Sequence, residues 1–255
     1  SQQKGEIIVG GREVVGSSGL FITKKRYAIL VYDEEGVRKD VENEGKVKIM
    51  GIDIKRSDTP EFMQKFLSTL LRMVLIGGTK EDILQAITSF KEEFTEKPGW
   101  EKGTPKRVNN LTMYYNKIDD MNKKVKRQFE KEFTLEMSDG KAQSNKVNLP
   151  GHVRASMNWN TLRSAHKDHY SLPINDGQKV IVCKLRDNPM GYTSVAYPID
   201  ELNIPSWFKE LPFDHEAMEQ TIIDQKVSNM IGVMGWDLSK TKTETTVFGN
   251  LFEMA

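Results

Sequence analysis

Cysteine is nearly missing from this sequence: Cys183 is the one thiol in 255 residues. A disulfide framework is thereby excluded, as is a structural zinc site built from cysteines, and the expected compartment is a reducing one. Long apolar runs are missing too. The longest, such as Ala28 to Tyr32, fall far short of the ~18 residues that a membrane-spanning helix needs. Ser1 to Gly5 hold no apolar stretch of the kind an export signal requires, so a cytoplasmic location with no membrane partner is expected.

Catalytic signatures are equally scarce. Gly77-Gly78-Thr79-Lys80 and Gly103-Thr104-Pro105-Lys106 lack the first glycine and the strand context of a phosphate loop. No nucleophile elbow or Ser-His-Asp order occurs. His166 and His169 share a helical spacing, yet they have no nearby set of carboxylates and thiols with which to hold a metal. Acidic neighbours such as Asp119-Asp120 and Glu92-Glu93 point about 100° apart on a helix, which makes them solvated faces rather than metal cages. No residue is assigned as catalytic or metal-binding.

An excess of one charge sign is missing only on average. The formal net charge is +1, but Trp100 to Tyr170 holds 14 Lys and Arg against 8 Asp and Glu, whereas Pro198 to Ala255 holds 4 against 10. A basic block and an acidic block cancel. What a polyanion senses is the charge within a screening length, so the neutral total does not exclude nucleic acid.

What is present reads as β structure first and helices after. Glu6 to Val9 and Arg12 to Val15 flank Gly10-Gly11, a two-residue hairpin signal. Arg26 to Tyr32 is rich in β-branched and aromatic residues, ends at the turn Asp33-Glu34-Glu35-Gly36, and predicts a partner strand over Lys46 to Ile52. Ser57-Asp58-Thr59-Pro60 marks a helix start, with proline expected at the first helical position. Phe62, Phe66, Leu67, Leu70, Leu71 and Val74 form its apolar stripe, and Gly77-Gly78 ends it. Thr79 with Asp82 opens a second helix carrying Ile83, Ile87, Phe90 and Phe94, which should pack antiparallel to the first. From Trp100 to Tyr170 the apolar periodicity is too weak to set boundaries. Gln178 to Leu185 and Thr193 to Tyr197 read as strands around the turn Asp187 to Gly191. Asp214 then caps a helix striped by Met218, Ile222, Met230 and Met234.

The chemistry that remains is cationic and aromatic. Lys24, Lys25, Arg26 and Tyr27 sit at a strand entry, Lys55 and Arg56 between strand and helix, and Lys106, Arg107, Asn109 and Asn110 extend the same set. Cations at loop edges reach phosphates, and a tyrosine offers a flat face to sugar or base. A four-residue basic cluster taken alone is more often plain surface.

The run Lys24-Lys25-Arg26-Tyr27-Ala28, followed by Gly51-Ile52-Asp53-Ile54-Lys55-Arg56-Ser57-Asp58-Thr59-Pro60, resembles the family B DNA polymerases of T-even-like bacteriophages. The resemblance continues more loosely through Lys106 to Asn110, His152-Val153-Arg154, Trp159-Asn160 and Leu185 to Pro198, covering nearly the whole chain from about Arg12. It implies that the first motif lies on the palm edge against the minor groove of the new duplex and that the second leads into the thumb. Lys25 would then reach the minor groove, Tyr27 would support the primer terminus, and Arg56 with Lys55 would hold the primer backbone. Lys24, Arg26, Lys106, Arg107, Asn109, Asn110, His152 and Arg154 complete the implied DNA-binding set. Val247, Phe248, Leu251 and Phe252 resemble the tail with which these enzymes dock a sliding clamp, and such exposed apolar residues would find burial in a partner's groove. A tail folded back on its own domain is the competing reading.

The family's Asp-Thr-Asp element, its aspartate-bearing Ser-Leu-Tyr-Pro element and its fingers lysine do not occur in the sequence. The resemblance therefore implies an α+β chain: a small antiparallel palm-edge sheet (1–52), a mainly helical thumb with an inserted short β hairpin (53–238) and a flexible clamp-binding tail (239–255). Its expected role is that of a C-terminal subunit or fragment of a phage replicative DNA polymerase, in the cytoplasm of an infected bacterium and inactive alone. The expected partners are primer-template DNA, a sliding clamp and an N-terminal catalytic polypeptide that carries the Mg2+ ions; no cofactor is expected on this chain. A freestanding non-catalytic duplex-binding protein and a clamp-interaction module are the alternatives.

Overall fold

Strand β1 (Val14–Thr23) and strand β2 (Arg26–Glu34) form an antiparallel hairpin whose connection is Lys24-Lys25. In this computed structural model the described residues are 13–39, 45–132, 148–236 and 238, with 125–132 described by backbone only. The expected hairpin at Gly10-Gly11 and the tail residues Val247 to Phe252 lie outside them. Past the turn at Glu35-Gly36, both at positive φ, β3 (Val37–Arg38) pairs with the end of β2, and β4 (Lys46–Met50) pairs antiparallel with its first half. The partner strand expected over Lys46 to Ile52 is thus present. Register shifts at Val15/Gly16, Gly16/Ser18 and Phe21/Thr23 mark bulges in β1, which increase the local twist.

Helix α1 (Glu61–Leu75) and helix α2 (Lys80–Glu96) come next. Phe62 near the start of α1 lies 5.9 Å from Phe94 near the end of α2, and Phe66 stacks on Phe90 at 3.8 Å, so the pair is antiparallel as expected. Pro60 corrects one detail. It stands just outside the helix with extended ψ, and no side chain caps α1, because the Thr59 hydroxyl donates to the Asp53 carbonyl instead (2.8 Å). At the other end Gly77, at φ 85°, lets the amides of Gly77 and Gly78 return to the carbonyls of Val74 and Met73, the paired bonds that close a helix through a left-handed residue. Thr79 accepts from the Asp82 amide at 3.2 Å and starts α2.

Two compact units are distinguished, Ser1–Glu96 with Glu219–Ala255 and Lys97–Met218. The second holds β5 (Thr104–Arg107), α3 (Leu111–Glu132), α4 (Gly151–Ala165), β6 (Lys179–Lys184), β7 (Ser194–Pro198) and α5 (Ser206–Lys209). The expected hairpin is β6–β7, to which β5 adds a third antiparallel strand. Trp159 of α4 is wholly buried among Trp207, Phe208 and the sheet, with its indole N–H on the Leu172 carbonyl (2.9 Å). Asp214 accepts from the Ala217 amide (2.9 Å) and caps α6 (His215–Glu219). The helix does not run on regularly: Gln220–Asp224 is a π turn before α7 (Gln225–Ile231). The architecture is α+β with small antiparallel sheets.

Candidate nucleic-acid interface

Lys24 and Lys25 occupy the tip of the β1–β2 hairpin and are exposed. The tip is built against Gly51. That residue sits at φ 66°, and a Cβ there would collide with the Lys25 carbonyl oxygen, so only glycine allows the chain to turn so close beneath the two lysines. Arg26 is a strut rather than a free cation. Its Nε donates to the Gly51 carbonyl (3.3 Å) and its Nη2 to the Asn229 carbonyl (3.3 Å). Tyr27, half-buried, stacks on Phe21 (5.9 Å between ring centres) and faces Met50 across β4.

Lys55 ends a single 3-10 turn (Asp53–Lys55) just beyond Gly51 and is exposed. Arg56 beside it is 62% exposed, with its guanidinium 3.2 Å from Asp58 and 3.6 Å from Asp53. Exposed ion pairs of this kind are weak and contribute at most about 1 kcal/mol, so the carboxylates orient Arg56 without neutralising it for a stronger anion. The Lys24-Lys25 turn thus packs on Gly51, and Lys55 and Arg56 follow four and five residues after it in the chain.

The second unit carries its own group. Lys106 and Arg107 lie on β5, and Arg107 donates to the Gly177 carbonyl (2.9 Å). Asn109 and Asn110 are exposed at the entry to α3, Asn110 in the left-handed conformation (φ 63°) that asparagine tolerates better than most residues. The α3 cap comes from far along the chain: Asp176 accepts from the amides of Leu111 and Thr112 and from the Thr112 hydroxyl. The Thr112 hydroxyl chiefly holds the Asp176 carboxyl below its ordinary value; burial opposes it, and the two amides add to it. His152 and Arg154 stand on the first turn of α4, half-buried and exposed respectively. Burial, then the charge of Lys106, pushes the His152 imidazole down. Trp159 and Asn160 are scaffold instead: Asn160 makes two 2.9 Å bonds to the Ile174 main chain.

His166 stacks flat on Trp207 (5.1 Å). The neighbouring Asp168 is raised by burial but lowered much further by the Ser171 hydroxyl and amide, the Trp207 indole and the Tyr170 amide, and stays ionised. Among the described residues no group of three or more His, Cys, Asp or Glu side chains is placed to hold a metal ion. The residues that sequence reading missed are Lys226 and Asn229 on α7, which bond Thr59 (2.9 Å) and Asp53 (3.2 Å). No local pattern signals contacts across so many residues.

Residues 12–154 match the sequence profile of DNA polymerase family B. The chain belongs to that family. The DNA-directed DNA polymerase of Enterobacteria phage T4 is 27% identical over 242 residues, which is 92% of this chain and 23% of that protein. The DNA-directed DNA polymerase of Escherichia phage RB69 is 43% identical over 63 residues, 25% of this chain and 7% of that protein. The likeness to T-even-like phage polymerases read from Lys24 to Ala28 and Gly51 to Pro60 is borne out. This family B chain thus spans less than a quarter of the length of the relatives it matches.

Proposed function

We propose that this chain is the duplex-gripping portion of a phage replicative DNA polymerase, and that the catalytic aspartates with their Mg2+ ions belong to a separate polypeptide. The observation that carries this reading is the packing at Gly51, where Arg26 and Gly51 fix the backbone beneath the exposed Lys24 and Lys25, with the exposed Lys55 and Arg56 four and five residues beyond. Lys25 reaches the minor groove, Arg56 and Lys55 take primer phosphates, and Tyr27 steadies the primer end. Lys106, Arg107, Asn109, Asn110, His152 and Arg154 add contacts from the second unit. Val247, Phe248, Leu251 and Phe252 dock the sliding clamp.

The reaction served is attack of a primer 3′ hydroxyl on the α-phosphate of a nucleotide. This chain contributes orientation: a duplex held at the right place converts a loose encounter into a near-attack geometry, and a displacement of about 1 Å costs on the order of 100-fold in rate. The partner polypeptide docks on the first sheet. Phe21 is 63% exposed, Met50 lies across Tyr27 from it, and β1 has no partner on its outer edge among the described residues; an exposed strand edge with an apolar row beside it is a surface suited to pairing.

Mixing the purified chain with the polypeptide that bears the metal carboxylates should restore primer extension that neither shows alone, and Phe21→Ser should weaken the restoration. Extension by this chain unaided, or none from the mixture, overturns the reading.

A further inference from the structure

Helix α7 touches both basic loops. Lys226, whose side chain is 13% exposed, donates to the Thr59 hydroxyl (2.9 Å) and lies 4.0 Å from Asp58, the carboxylate that orients Arg56. Three residues on, and so on the same helix face, Asn229 donates from Nδ2 to Asp53 (3.2 Å), which is 3.6 Å from Arg56, while its main-chain oxygen accepts from Arg26 at the base of the Lys24-Lys25 turn. Thr59 passes the link on to the Asp53 carbonyl (2.8 Å).

The phase of α7 is itself fixed. The π turn Gln220–Asp224 inserts an extra residue and so rotates α7 about its axis. The Lys91 side chain, 2% exposed, reaches from α2 to Glu219 (3.5 Å) and to Asp224, which bracket that turn. A buried ammonium held by both carboxylates leaves the turn little freedom to unwind, because losing both would strand the buried charge. With the turn so held, Lys226 and Asn229 face the two loops.

We propose that Asn229 and Lys226 are positioning residues for the duplex grip. They hold the Lys24-Lys25 turn and the Lys55-Arg56 segment at one spacing, so that the four exposed cations meet the duplex already arranged and little loop ordering remains to be done on binding. This rests on the reading of those cations as duplex contacts.

The test is fluorescence anisotropy of a labelled primer-template duplex with the full chain, titrated across salt concentrations for Asn229→Ala, Lys226→Met and Lys226→Arg, below the melting temperature of each. Positioning predicts that Asn229→Ala and Lys226→Met bind about 3- to 10-fold more weakly, as loss of one hydrogen bond implies, with the log-log salt slope unchanged. Lys226→Arg should recover the affinity. In both weakened variants, amide hydrogen exchange should quicken at residues 53–59, the segment that the two side chains hold, while α4 and β6 keep their protection; uniform quickening would mean general destabilisation and overturn the proposal. A shallower slope for Lys226→Met would make Lys226 a phosphate contact and overturn it too, as would unchanged affinity in both variants. If the unsubstituted chain binds duplex with no salt dependence, the grip itself fails and this inference falls with it.

Discussion

Arg26 and Arg56 carry the same guanidinium in opposite surroundings. Arg56→Ala removes an exposed cation from a weak pair, so the stability of the fold should change by less than about 1 kcal/mol, while the log-log salt slope of duplex binding should fall in magnitude by about 0.9, one phosphate contact. Arg26→Ala instead leaves the Gly51 and Asn229 carbonyls without their donor. It should cost about 1–3 kcal/mol in a urea melt and leave the slope alone. The histidines supply a pH prediction. The buried Lys102 ammonium meets Nδ1 of His215 at 2.8 Å. Burial, then the charges of Lys102 and Arg186, lowers the His215 imidazole against the opposing pull of Asp214. A histidine depressed in the folded state contributes its stability above the unfolded value of 6.5, and loses it as pH falls below that value and through the folded one. His152 is lowered likewise. The urea midpoint should therefore drop between about pH 7 and pH 5, and His215→Asn should flatten part of that drop; an unchanged profile would show that the imidazole is not held neutral.

At the scale of elements, the hairpin tip depends on one glycine. Gly51→Ala must adopt positive φ, which costs an alanine roughly 1–2 kcal/mol, and must also push away the Lys25 carbonyl. We expect a lower melting temperature together with weaker duplex binding; normal binding by a stably folded variant would show that the tip does not need its observed position. Strands β2 and β4 and helices α1 and α2 were legible because their signals are local, whereas most of β1, which contains Gly16 and Gly19, was not. Asp33 to Gly36 names its own turn, Thr79 caps its own helix, and the stripe from Phe62 to Val74 keeps the spacing of one helix face. From Trp100 to Tyr170 the signals are distant or averaged away. Helix α3 takes its cap from Asp176, and β5 includes Pro105 and, among the described residues, pairs with β6 alone. Helix α4 buries Ala155, Ser156, Met157, Asn158 and Trp159 in succession, so no stripe marks it. The candidate site was legible only as cations. That Arg26 is a strut and that α7 braces both loops depend on contacts between residues far apart in sequence.

At the scale of the whole molecule, the charge is uneven along the sequence: Trp100 to Tyr170 is basic and Pro198 to Ala255 acidic. The two blocks offset to a net charge of +1, and contacts to a nucleic-acid backbone of the kind proposed carry little base information. Binding should therefore be insensitive to duplex sequence and sensitive to salt. The most direct measurement is the affinity of the pure chain for a primer-template duplex across a salt series. If the basic loops neutralise roughly 3 to 5 phosphates, the log-log slope should lie between about −3 and −4.5; a flat response would mean that these cations do not hold DNA.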